Sequence, residues 1–205
     1  MKNFKKYLSK LASTFAVVGF LVAPVMYSSS ANALTPAEIE ERQNAKTKIA
    51  SPSVGKKIQK AFELYGLEDI DGALAILLDV NTSKAFDQAF LNKFIGNLYA
   101  TMEGKSDLAI KYMALAIKDD VLNYKEQGEA IQLLAQLYMM GKNYQKAIDA
   151  YKEWMSFTGK QDPKVYIRIA NGYYELKQLD KVIEPADKAI ALATEKEVTP
   201  YILKL

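Results

Sequence analysis

Three side-chain amides and three cations recur at related positions in the middle of this sequence: Asn97, Gln136 and Asn171, with Lys93, Lys164 and Arg168. Each amide stands two residues before a tyrosine, Tyr99, Tyr138 or Tyr173. An amide offers both donors and an acceptor, so a row of them can bond a polypeptide backbone without reading its side chains. Cations beside that row suit a carboxylate, a contact typically worth ~1.5–3 kcal/mol when desolvated and far less when exposed. The plainer alternative is a set of solvated lysines on a polar face. Either way this is recognition chemistry. The 205 residues include no His and no Cys, which removes common metal ligands and the usual general base. No Gly-rich phosphate loop and no G-x-S-x-G elbow occurs. Glu68, Asp69 and Asp71 form an acidic cluster, but no further ligands follow at calcium-loop spacing. Asp71, directly before Gly72, reads instead as a helix cap. No catalytic residue, metal site or cofactor is expected, and an enzyme is disfavoured.

Helices must position that row. Ile131, Leu134, Ala135 and Tyr138 stand at offsets 0, 3, 4 and 7, one face of a helix. Gly141 and Asn143 interrupt, the first suited to a left-handed turn and the second to capping the next helix. Tyr144, Ala147, Ile148, Tyr151 and Met155 then repeat the pattern. Two such helices joined by a short turn fold back as an antiparallel pair, and neither buries its apolar stripe without neighbours. The neighbours exist. Ala170, Tyr173, Val182 and Ile183 match Ala135, Tyr138, Ala147 and Ile148 at a spacing of 35. Gly96, Tyr99, Ala109 and Ile110 match again, with 39 residues from Tyr99 to Tyr138, and Ala73 and Leu74 mark a weaker copy 36 earlier.

A small residue, two unlike residues, Tyr, then Ala about nine later resembles the tetratricopeptide (TPR) repeat. The expected fold is therefore all-α: a TPR-type helix–turn–helix solenoid, a right-handed superhelix of about four repeats plus the start of another. Repeats are placed near 56–84, 89–120, 128–160 and 163–196, with 200–205 opening a further, incomplete one. Thr199-Pro200 before Tyr-Ile-Leu-Lys-Leu reads as a helix start, so the sequence looks like part of a longer array whose last repeat exposes an apolar face around Ile190. Within this pattern, the Lys93, Asn97, Gln136, Lys164, Arg168 and Asn171 set resembles the two-ended carboxylate clamp of chaperone-binding TPR domains. Leu133 departs from it, standing where that clamp has another Asn.

The remaining segments carry different messages. Lys2, Lys5, Lys6 and Lys10 precede an uncharged apolar run from Leu11 to Met26, and Ala31-Asn32-Ala33 supplies a small-x-small end. This reads as a signal peptide over 1–33, cleaved after Ala33 for the periplasm; the alternative is an uncleaved anchor. No Cys follows, which excludes a lipid-anchored lipoprotein. Without the four leader lysines, 23 basic residues face 24 acids, and a net charge of +3 becomes −1. A nearly neutral domain lacks the field that nucleic acid requires. Residues 34–54 read as a polar, mobile arm, with Thr35-Pro36 able to open one exposed helix and a fixed capping helix as the alternative, and 55–205 as a single TPR domain. Asp119–Tyr124 is the widest expected gap between repeats, Pro185 a slight bend on a solvent-facing turn, and Trp154 a large core residue.

Beyond the generic repeat, the stretches KKIQKAFELYGLEDIDGALAILLDV (56–80), FLNKFIGNLYA (90–100), YKEWMSFTGKQDPKVYIRIA (151–170), DKAIAL (187–192) and PYILKL (200–205) resemble secreted TPR proteins associated with the TonB–ExbB–ExbD system of marine gammaproteobacteria. The resemblance implies a periplasmic scaffold, an accessory to proton-motive-force-driven outer-membrane uptake. It implies protein partners among TonB, ExbB and ExbD, and at most a peripheral relation to the membrane. The alternative is a scaffold for envelope or cell-wall assembly complexes.

Overall fold

The computed structural model describes residues 34–193, so the leader and the 200–205 helix start lie outside the described residues. The described residues contain no strand. After α1 (Pro36–Asn44), eight further α-helices follow in antiparallel pairs: α2 (Pro52–Gly66) with α3 (Ile70–Leu78), α4 (Ala85–Ala100) with α5 (Ser106–Ile117), α6 (Tyr124–Met140) with α7 (Tyr144–Thr158), and α8 (Pro163–Glu175) with α9 (Ile183–Leu192). Each pair packs on the next, which is the TPR-type solenoid. The six-residue joint 118–123 is matched by 79–84, so the gap between the second and third pairs is not the widest.

The turn inside each pair is built alike. A left-handed residue stands two places before the next helix in three of them, Glu68, Gly104 and Lys142, and Lys177 stands two places before the 3₁₀ turn that precedes α9. In three of the four, the N–H after that residue reaches back five places, as Asn143 does to the Tyr138 carbonyl at 2.8 Å, Gln178 to Tyr173 at 2.9 Å and Asp69 to Leu64 at 2.9 Å. That bond satisfies a carbonyl the helix end would otherwise orphan, and it offsets the steric cost of the left-handed residue. Two expectations change here. Gly141 keeps an ordinary negative φ while Lys142 takes the left-handed place, and Asn143 makes no side-chain bond into α7. Likewise Asp69, not Asp71, caps α3, accepting from the Gly72 N–H at 2.9 Å. The backbone closure bond fixes the left-handed position by counting from the helix end, not by residue preference.

Small residues set the helix spacing. A Cβ on Gly96 would stand 3.0 Å from the Met113 methyl, and one on Gly172 would stand 2.8 Å from Ile148. Ala109, Ala135, Ala147 and Tyr151 are buried at the centre, and Trp154 is a core residue as its spacing suggests. Pro185 is corrected. It is buried, not solvent-facing, and the chain meets it by breaking the second half-repeat into a short 3₁₀ turn, Leu179–Lys181, before α9 begins at Ile183. Pro185 then falls in the first turn of α9, where its missing N–H costs no intrahelical bond. On α9 itself, Ile183 is 64% exposed and Ile190 50%.

The segment before the repeats is the largest departure. Thr35 and Glu38 form a reciprocal capping box that starts α1, and the helix lies against α6 instead of moving freely. From there residues 45–51 run back along the joints between pairs to the start of α2. A polar pattern hides this docking because most of its contacts are hydrogen bonds.

Candidate functional site

The first helix of each pair lines one face of the solenoid, and on that face the repeat register sorts residues into rows. Ile58, Phe94, Leu133 and Arg168 share one row; Ala61, Asn97, Gln136 and Asn171 share the next. At the α2–α4 end the rows enclose a pocket of about 440 Å³, within the range of ligand clefts. Its walls include Phe62, Tyr65, Phe94, Asn97, Leu98 and Leu133. Phe62 and Phe94 meet edge to face at 5.0 Å, Phe94 meets Phe90 edge to face at 5.0 Å, and Phe90 stacks on Phe86 at 5.5 Å. Phe86, Phe90 and Phe94 recur every fourth residue along α4, so one stripe of rings leads to the pocket. Phe62 remains more than half exposed and Tyr65 nearly so. Contiguous apolar surface of this kind is where soluble proteins commonly meet partners.

The six residues singled out from sequence are divided by this geometry. Lys93 and Asn97 lie on α4, Gln136 on α6, and Lys164, Arg168 and Asn171 on α8. Asn97 lines the pocket. Gln136 is half-buried beyond it, and Asn171 is exposed. None of the three amides makes a side-chain hydrogen bond among the described residues, so their donors and acceptors are open to an incoming backbone. Lys93 is not a free cation. Its Nζ sits 2.8 Å from Glu129 Oε2 across to α6, and its side chain is only 13% exposed. Glu129 occupies the row position of Phe90 and Lys164, so the repeat itself supplies the acid that neutralises Lys93. An arriving carboxylate would have to displace Glu129.

Arg168 differs. Its Nη1 donates to the Tyr151 hydroxyl at 3.3 Å, and the guanidinium lies 5.9 Å from that ring. Burial pushes the Tyr151 hydroxyl above its ordinary pKa and Arg168 pulls it back, so the phenol stays neutral and positions the cation without cancelling it. No carboxylate pairs with Arg168 among the described residues. Lys164 is exposed in the first turn of α8. The face therefore grades from apolar at α2–α4, through amides, to the Arg168 guanidinium on α8.

The sequence reading located the amides and cations but missed the aromatic pocket. The four-residue spacing of Phe86, Phe90 and Phe94 was the available signal. That Phe62 and Tyr65 would join them depends on how α2 and α4 are juxtaposed.

Comparison with known proteins bears on the fold. No protein-family model matches the sequence, and no curated protein does. A crystal structure of MamA protein is similar at 20% identity with a TM-score of 0.55, covering 74% of this chain and 78% of that one. A second crystal structure of MamA is similar at 18% identity and 0.54, covering 74% and 81%. MamA MSR-1 C2 is similar at 16% identity and 0.54, covering 76% and 83%. At these identities the likeness is one of fold.

Proposed function

We propose that this chain is an exported, periplasmic scaffold that holds a protein partner along the face of its first helices, as an accessory of TonB-dependent energy transduction and outer-membrane uptake. The observation that carries the binding reading is the open aromatic pocket between α2 and α4, continued by unengaged amides and an uncompensated Arg168. A bulky apolar side chain suits the pocket, while an acidic or extended segment suits the row toward α8. The export reading rests on the leader sequence, and the TonB reading on the resemblance of the repeat segments; a helical-repeat fold is compatible with both.

One experiment addresses all three parts. A photo-crosslinking amino acid replaces Leu133 in the pocket, and in a second strain Leu115, which is exposed on α5. After irradiation of intact cells, the adduct is taken from a periplasmic extract and sequenced. Recovery of TonB or ExbD from position 133, on a chain beginning at Leu34, is the expected result. Recovery of cell-wall synthases replaces the TonB reading with envelope assembly. Adducts only from position 115 move the interface off this face, and Met1 retained in a membrane fraction overturns export. With the partner in hand, Lys93→Ala together with Arg168→Ala should weaken binding at least tenfold and flatten its salt dependence, with helicity unchanged. Arg168 should supply most of that loss, because Lys93 is already paired with Glu129. Unchanged affinity in the double variant removes both cations from the interface.

A further inference from the structure

Solenoid repeats touch only their neighbours, so the two ends of such an array ordinarily do not sense one another. One segment of this chain breaks that rule. Residues 34–51 touch all three joints between helix pairs in turn. At the first joint, Ser51 donates its N–H to Asp87 Oδ1 at 2.9 Å and its hydroxyl to Oδ2 at 2.5 Å. Asp87 lies in the first turn of α4 and is 2% exposed, an acid buried for the sake of the strand of chain above it. At the second joint, the Asn123 carboxamide holds the Lys48 backbone from both sides, accepting from its N–H at 2.7 Å and donating to its carbonyl at 3.0 Å. The Lys48 ammonium reaches the Val121 carbonyl at 2.9 Å.

Arg42 leads from the second joint to the third. It grips Asp120 with two nitrogens at 2.9 and 2.6 Å while lying 5.2 Å from the Phe157 ring at the end of α7. At the third joint Ile39 covers Gly159, where a Cβ would come within 2.7 Å of the isoleucine methyl. Burial, and then the nearby Asp120, push the Glu153 carboxyl of α7 above its ordinary pKa.

We propose that residues 34–51 are a latch that couples the first helix pair to the second and third and holds the binding face at one curvature. The helices whose N-terminal ends it pins, α2, α4 and α6, line the pocket together with Leu77 of α3, so their spacing at that edge sets the width of the face. Most of the strap is exposed and held by hydrogen bonds and one ion pair, so it can be lifted without unfolding the repeats beneath it. The latch does not depend on what the face binds.

The test is hydrogen exchange on the whole chain, comparing the unaltered protein with Arg42→Ala plus Asn123→Ala. Neither side chain bonds to α2 or α4. Protection in α2 and the first turn of α4 should nevertheless fall at least tenfold, along with that of Lys48 and Ser51. Because the sequence has no cysteine, Lys60→Cys on α2 and Lys125→Cys on α6 can carry spin labels in the same backgrounds. Their distance distribution should about double in width. If the double variant loses helicity, Asn123→Asp, which keeps the acceptor and loses the donor, is measured in its place with a smaller change of the same pattern expected. Exchange gains confined to 34–51 and 118–124, with an unchanged label distance, overturn the latch.

Discussion

The two long sides of this solenoid handle their polar groups in opposite ways. Along the edge where pairs join, Asp87, Asp120, Asn123 and Tyr124 are each bonded to the strap, and none of those bonds is left for another molecule. Along the face of the first helices, Asn97, Gln136 and Asn171 have no such partners, and Phe62 and Tyr65 remain open. One edge is saturated by its own chain; the other face is unfinished. On the proposed reading, the chain keeps its capacity for partners where its own sequence has not supplied one. It also separates two uses of similar residues. Lys48 and Arg42 are structural on the first side, whereas Arg168, stacked on a neutral phenol, keeps its charge available on the second.

The contrast can be broken at either side. Its strongest test is Phe94→Asp, which puts a charge among the rings of the pocket. A central aromatic anchor is commonly worth ~2–4 kcal/mol, so partner adduct from position 133 should drop by roughly 30- to 1,000-fold. Strap protection by hydrogen exchange should be untouched; if it falls too, the two sides are not separate. On the opposite side, Asp87→Ala strips Ser51 of two bonds and Thr82 of one. Leaving such donors unsatisfied costs about 1–3 kcal/mol, and the thermal midpoint should fall by roughly 2–12 °C while the pocket keeps its partner. A midpoint shift under about 1 °C would mean that the strap anchor carries no stability.

The smallest effect is a pH dependence confined to the strap. Burial by itself would raise the Asp87 carboxyl, but the Ser51 hydroxyl and N–H, Lys84 and Thr82 outweigh it and hold the group below its ordinary value. A carboxyl depressed in the folded state adds stability that is complete above its unfolded pKa of about 3.9 and disappears as pH falls through the lower folded value. Between pH 7 and 5 the Ser51 amide should therefore keep its protection by NMR, and below about pH 4 it should begin to lose it. Asp87→Asn should abolish that acid step; if the step persists, another group is responsible.

How much of this could be read in advance depends on the range of each interaction. The repeat register was legible because it is local: a small residue, Tyr and Ala at fixed offsets determine which helix face packs, and Gly96, Ala135 and Ala170 do lie at those contacts. Trp154 was legible for the same reason. The left-handed residue of each turn was not, because the bond from Asn143 to Tyr138 selects position 142 whatever stands there, and Lys142 accepts the role beside a more permissive Gly141.

The sequence by itself determined the helices, their pairing and the row of amides, all of which arise from periodicity within one or two repeats. Only the tertiary structure decided three things. It paired Lys93 with Glu129, 36 residues away, converting an expected clamp cation into a tie between helices. It brought Phe62 of α2 against Phe94 of α4 to make the pocket. And it laid the polar arm along the joints through hydrogen bonds 36 to 81 residues distant. Each required two surfaces that share no periodicity to meet, and hydrogen bonds between exposed polar groups leave no hydrophobic pattern by which a sequence could announce them.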